Sequence, residues 1–160
     1  MKIYYDTTSG VAQRIFPLEQ VRMLCSHEGV MAVDNNGDPR YKDVRLSKGE
    51  GSFMVSAIEE GLRHVEQMLG TLLTREAVYT GSYAEFDFRE SCLLREDSSL
   101  AGSLAECAVE YAMYRWLEIR LPGRSEHYLQ RFADKAKSTV ILAAEKPLPE
   151  LRSDDSSVNP

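Results

Sequence analysis

At 160 residues, 43% hydrophobic and 28% charged, the chain suits one domain of ordinary globular composition, long enough to bury a core without disulfide or metal staples. Its formal net charge of -6, with no basic run anywhere, argues against a surface that holds nucleic acid by neutralising phosphates. The longest apolar stretches fall far short of a membrane span and MKIYYDTTSG lacks the apolar core of a signal peptide, so synthesis in the cytoplasm is expected.

Residues 1–16 are β-prone in two short runs, Ile3 to Tyr5 and Val11 to Phe16, separated by the turn-rich DTTSG. A hairpin or two short edge strands is expected. Pro17 then opens a short helix in which Leu18, Val21, Leu24 and Cys25 recur at helical spacing, and Gly29 supplies a stop. An insertion over 30–51 follows. It holds a β-prone run, Val30 to Val33, and a dense turn signal from Asp34 to Pro39, so a protruding hairpin or loop is expected.

From Ser52 to Thr74 the period returns to that of a helix. Met54, Ile58, Leu62, Val65, Leu69 and Leu72 make one stripe, with Glu59, Glu60, Arg63, Glu66 and Gln67 opposite, so the helix is amphipathic. Ser52 is a candidate N-cap, and Gly61 and Gly70 either weaken the helix or admit another backbone at close range. Between Ala77 and Phe88, Ala84, Phe86 and Phe88 alternate with Glu85 and Asp87, as in a half-buried strand. RESCLLREDSS leads on as a loop, with Asp97, Ser98 or Ser99 as candidate caps.

The stretch Leu100 to Leu121 is the centre of the chain. Leu100, Leu104, Cys107, Ala108, Tyr111 and Tyr114 form one apolar stripe, and Val109, Met113, Trp116 and Leu117 form another. Glu106, Glu110, Arg115, Glu118 and Arg120 occupy the strips between them. At ~1.5 Å per residue this helix crosses about 33 Å. Two stripes require partners on two sides, supplied by this chain alone or by this chain and a neighbour. Pro122-Gly123 breaks the helix, and Ser125 is a candidate cap for a last helix carrying Leu129, Phe132, Ala133, Ala136, Val140 and Ala143 on one stripe. So short a turn folds these two helices into an antiparallel hairpin. After Ala144, EKPLPELRSDDSSVNP has no means of burying itself. Residues 145–160 read as an extended or disordered tail with two apolar anchors, Leu148 and Leu151. The expected fold is therefore mainly α: a bundle of about four helices in a single domain over 1–144, with a small β element and the extended tail.

No catalytic constellation emerges. The three cysteines, Cys25, Cys92 and Cys107, form no CxxC pair and read as reduced thiols, with Cys107 in the core. Cys25 and His27 lack the second pair that a zinc site needs, and Glu60 and His64, at i,i+4, read as a solvated pair. Asp34, Asn36 and Asp38 match the start of a calcium loop, but Gly37 is fourth where the sixth position is needed and Arg45 stands where the closing Glu belongs. GxSxG, Walker A, dinucleotide and HExxH motifs are absent. No catalytic or metal-binding residue is assigned, and no cofactor is expected. The aromatic cluster Tyr111, Tyr114 and Trp116 reads as core or interface more readily than as a ligand pocket.

The order of elements carries more than any single residue. A helix opening PLEQVRMLC, a charged loop, a helix containing MVSAIEEGLRHVEQMLGTLLT, a strand-like segment and LAECAVEYAMYRWLEIRLPGRSEHYLQRFADKAKSTVILAA together resemble the head-to-tail connector proteins of tailed bacteriophages, and among these the adaptor that forms a ring beneath the portal. The likeness covers residues 17–144; the β-prone start and the 30–51 insertion exceed the family pattern. It implies a mainly helical, non-catalytic subunit, located in the virion at the head–tail interface and made in the host bacterial cytoplasm. It also implies a homo-oligomeric ring, contacts with the portal protein above and with tail or stopper proteins below, and a tail docked on the portal or an adjacent subunit. DNA would pass through the lumen without sequence-specific binding, and an acidic ring would repel its phosphates. Candidate partner or oligomer contacts are Leu62, Val65, Leu69, Tyr111, Tyr114, Trp116, Leu148 and Leu151. The competing reading is a small α+β enzyme or ligand-binding domain using carboxylates such as Glu85, Asp87 or Glu110. A helical adaptor outside phages is a third.

Overall fold

The computed structural model describes residues 1–7, 10–31, 50–89 and 97–144. They form, in chain order, β1 (Lys2–Tyr4), α1 (Pro17–Met31), α2 (Gly51–Leu69) with a single 3-10 turn after it (Gly70–Leu72), β2 (Val78–Tyr79), β3 (Tyr83–Glu85), α3 (Asp97–Arg120) and α4 (Pro122–Ala144). The mainly helical architecture, its small antiparallel sheet and the α3–α4 hairpin are as the sequence predicts. The expected hairpin or loop at 34–39 and the tail from 145 lie outside the described residues, as does Cys92.

α3 is the axis. From Leu104 to Met113 every residue but Glu106 is buried, and Trp116 and Leu117 extend the run. Both stripes find their partners within the chain, because α1, α2, α4 and β1 all pack on this helix. No neighbour is needed to cover it. α4 returns along α3 after one linking residue, Leu121, with Pro122 at the first helical position, where its missing N–H costs nothing. Small side chains let the two helices close. Ser103 Oγ lies 2.6 Å and Cys107 Sγ 3.3 Å from Thr139 Oγ1, whose own proton goes to the Lys135 carbonyl. Ser125 is not a side-chain cap: its hydroxyl donates to the Pro122 carbonyl at 2.7 Å, and its flank is buried. The buried stripe of α4 thus runs Ser125, Tyr128, Phe132, Ala136, Thr139 and Ala143. It is rotated from the expected one, which leaves Leu129 exposed.

α2 buries the predicted stripe from Met54 to Leu69 against α3. It stops at Leu69, because Gly70 takes a positive φ of 48° and caps it with an N–H bond to the Glu66 carbonyl. Gly61 marks the closest approach of the two helices. A Cβ built there would lie 2.6 Å from Tyr111 Cβ, so only glycine allows α3 to sit so near.

The sheet corrects two expectations. Residues 11–16 form no strand and do not pair with β1; instead Gln13 reaches across with its side-chain amide, accepting from Tyr4 N at 2.9 Å and donating to Tyr4 O at 2.8 Å. A single glutamine thus satisfies one residue of an edge that a hairpin partner would otherwise cover. β1 pairs instead with β3, Ile3 opposite Ala84, giving the order β1-β3-β2. The expected single strand 77–88 is a hairpin, turning at Gly81-Ser82 with φ of 82° at the glycine only, the pattern of a type II′ turn. Ala84, Phe86 and Phe88 point inward and Asp87 outward, as their alternation predicts. Gly29 does not stop α1, which runs on to Met31. No helix among the described residues is long and apolar enough to cross a membrane.

A charged clamp joins α1 to α4. Glu28 sits on the buried stripe of α1 and accepts from Arg124 Nη2 at 2.7 Å, Arg124 Nε at 3.1 Å and Tyr128 Oη at 2.9 Å. These donors, Arg124 first, hold its carboxyl below the ordinary value of 4.5 despite burial. The carboxylate therefore contributes stability that is complete above the unfolded-state pKa and is lost as pH falls through the lower, folded value. Acid titration of stability should show wild type weakening below about pH 4.5, whereas Glu28→Gln, weaker at pH 7, should show a flatter acid limb. Chemical denaturation should also find Gly61→Ala destabilised by about 1–3 kcal/mol through overpacking on Tyr111. Gly102→Ala, which meets nothing within 4 Å on α3, should be neutral or stabilised by up to ~1 kcal/mol.

Candidate functional site

An open surface hollow lies where α2, α3 and α4 meet. The close approach at Gly61 sinks Tyr111 between the helices, and Phe132 from α4 packs edge-on against it, ring centroids 5.0 Å apart. Tyr114, one turn on, meets Tyr111 at 5.6 Å, and His64 from α2 lies 5.1 Å from the same ring. These aromatics floor an open groove of about 540 Å³. Met68 and Leu129 flank it, and both are more than a third exposed. Each wall thus leaves a long apolar side chain partly in water.

The polar groups around the groove are engaged with one another. Tyr111 Oη donates to Glu60 Oε1 at 2.8 Å and lies 3.2 Å from His64 Nε2, so the phenol's proton is spent on the carboxylate and the imidazole N–H donates to the phenol. Arg115 bridges Glu60 (3.4 Å) and Glu118 (2.8 Å), and Tyr114 donates to Glu118 at 3.1 Å. Burial and then the neighbouring carboxylate push both phenols above their ordinary pKa, so each serves as a neutral donor. This arrangement positions aromatic surface.

The contact residues expected from sequence are divided by the structure. Tyr114 lines the groove half-buried, and Tyr111 forms part of its floor. Leu62, Val65 and Leu69 are no more than 2% exposed and belong to the α2–α3 core. Trp116 is also 2% exposed, with the Arg120 guanidinium 4.6 Å from its ring. These four are therefore taken up inside the chain, and the rest of the groove's lining falls to His64, Gln67, Met68 and Leu129, none of which the sequence marks as a contact. Met68 lies off the α2 stripe, its one signal in the sequence; the apolar spacing of α4 places Leu129 on the core stripe. Leu148 and Leu151 lie outside the described residues.

The other chemical candidates are paired elsewhere. Glu85 and Asp87 face Arg75, at 3.8 and 2.8 Å, on the outer side of the hairpin. Cys25 is buried with its sulfur 3.7 Å from that of Met113, and desolvation pushes its thiol up to about 12; burial likewise pushes Cys107 up to about 11. Among the described residues no three His, Cys, Asp or Glu side chains are grouped so as to hold a metal ion. No family model, curated protein or solved structure matches the chain. By denaturation, Tyr111→Phe should lose about 1–2 kcal/mol, the value of a part-buried bond to a carboxylate, and Tyr114→Phe less than about 0.5 kcal/mol because its partner is in water.

Proposed function

We propose that the chain is a non-enzymatic structural subunit of a phage head-to-tail connector, assembling through the α2–α3–α4 groove into a ring that joins portal to tail in the virion. The observation that carries this reading is the open aromatic groove flanked by exposed Met68 and Leu129. It is a surface shaped for a protein and too open to enclose a small molecule. The helix order over residues 17–144, with its EYAMYRWLE and YLQRFADKAKS helices folded as a hairpin, supports the connector as the kind of assembly concerned.

Because α3 satisfies both its stripes within the chain, the contact to a neighbour shifts from the central helix to the groove. Ring closure needs two different complementary surfaces on each copy. The groove is one; a Leu148/Leu151 segment of an adjacent copy or of the portal supplies apolar side chains of the right kind for it. Portal above, tail or stopper protein below, and DNA passing through the lumen complete the proposed set of neighbours. The net charge of -6 suits a channel that does not hold phosphates.

Native mass spectrometry of the full chain, alone and mixed with the cognate portal protein, tests this. A closed oligomer or a portal complex is expected. Met68→Glu combined with Leu129→Glu, at positions already in water, should keep the helical circular dichroism and abolish the assembly. A chain that stays monomeric and ignores the portal overturns the reading, as does assembly unchanged in the double variant.

A further inference from the structure

β1 is an edge strand, and only part of its free side is covered. The bonds of Met1 with Phe86 and of Tyr5 with Ser82 turn the backbone groups of Met1, Ile3 and Tyr5 toward β3, so those of Lys2 and Tyr4 face the other way. Gln13 satisfies Tyr4. The N–H and C=O of Lys2 have no partner among the described residues. An edge left open in this way is a template for one more extended chain.

Beside that edge lies a hollow of about 240 Å³, bounded by Met1 and Lys2, by the stretch 11–15 and by Ala101 and Gly102 in the first turns of α3. It is open and partly apolar: Val11 is 42% exposed, and a Cβ built on Gly102 would meet nothing within 4 Å. Lys2 and Arg14 are both exposed, and neither is in an ion pair among the described residues. The Lys2 ammonium lies 4.9 Å from the Tyr83 ring. Two unneutralised cations beside apolar surface stand out in a chain of net charge -6. The hollow suits an extended segment that is acidic, offers an apolar side chain and needs one backbone pair.

We propose that in the isolated chain this hollow takes the chain's own residues 147–155, with Leu148 paired to Lys2 and the acids Glu150, Asp154 and Asp155 toward Lys2 and Arg14. Position favours this segment first. α4 ends at Ala144 and runs antiparallel to α3, with Ser103 Oγ 2.6 Å from Thr139 Oγ1, so its last turn lies beside the turn that carries Ala101 and Gly102. Leu148 is four residues further on, a reach of about 14 Å when extended, which exceeds the ~10–12 Å breadth of a helix. Charge agrees, since Glu145, Glu150, Asp154 and Asp155 outnumber Lys146 and Arg152. Backbone chemistry agrees as well. Pro147 and Pro149 have no N–H, and in an extended chain their backbone groups point away from the side on which Leu148 bonds. Leu148 also precedes a proline, which holds it extended. The free edge offers one residue to pair, and the segment offers one N–H between its prolines. The inference concerns the chain before assembly, when no neighbour competes for Leu148 and Leu151, and it does not rest on the connector reading; ring formation and tail docking are read by different measurements and can fail separately.

Nuclear magnetic resonance of the full 15N-labelled chain tests it. Order parameters of the Leu148, Glu150 and Leu151 amides should lie above ~0.6, the bound below which backbone is flexible. A nitroxide on Ser157→Cys, in a Cys92→Ser background with Cys25 and Cys107 protected by burial, should broaden the amides of Lys2, Ala12 and Gly102. The broadening should persist when the labelled chain is diluted into excess unlabelled, untagged chain. Lys2→Glu combined with Arg14→Glu should bring the tail order parameters below ~0.6 with circular dichroism unchanged. Gly102→Leu, which fills the hollow without altering charge, should do the same, and if one of these variants does not fold the other decides. Tail amides flexible in the wild type, broadening that vanishes on dilution and so belongs to a second copy, or tail order unchanged in a folded variant overturns the proposal.

Discussion

The contact between Gly61 and Tyr111 fixes where the rest of the helical core stands. With no side chain at Gly61, α3 comes near enough for Tyr111 to lie in van der Waals contact with α2. At that depth its phenol reaches Glu60, its ring receives Phe132 from α4, and Tyr114 is left at the surface one turn away. A bulkier residue at 61 would push α3 away from α2 and break the phenol's bond to Glu60. The groove is thus a by-product of close packing: the helices meet tightly on one line and diverge on either side of it.

The same phenol-to-carboxylate bond recurs around the molecule. Glu59 of α2 accepts from Tyr5, Glu66 from Tyr79, and Glu28 of α1 from Tyr128. For an acidic chain this solves a particular difficulty. A carboxylate at the edge of a core needs donors, and a second buried ion would bring its own desolvation cost. A tyrosine delivers a strong donor on a large apolar ring and carries no charge. Burial and the adjacent acid raise the pKa of Tyr5, Tyr79 and Tyr128, so the donating proton stays in place across the physiological range. The glutamates of α2 that look like a solvated polar face in the sequence are in this way the points at which β1, β2 and α3 are attached to it.

What the sequence disclosed was what depends on local period. The stripe of α2, the all-round apolarity of α3, the break at Pro122-Gly123 and the inward set Ala84, Phe86 and Phe88 all follow from spacing along one element. What it concealed depends on which element arrives from afar. β1 is β-prone, but that its partner is β3, more than 75 residues on, and not the adjacent 11–16 stretch, is decided by tertiary packing and by one glutamine side chain. The two apolar stripes of α3 announced two-sided burial without saying whose atoms supply the second side; they are this chain's own, which is why Leu62, Val65, Leu69 and Trp116 turn inward. Glu110 reads as polar-strip from its wheel position, and only the arrival of α4 with Arg131 seals it in. The buried face of α4 differs from its apolar stripe because Ser125, Tyr128 and Thr139 are polar by type and buried through hydrogen bonds that a hydrophobicity pattern does not see.

Both borders of the 30–51 insertion are tied to one place. Glu28, in the last turns of α1, holds Arg124 just past the α3–α4 turn, and Glu50, at the start of α2, holds Arg120 just before it. The end of α1 and the start of α2 are therefore brought to the same corner beside the α3–α4 turn, each secured there by its own ion pair. An opening of that corner would strain both pairs together.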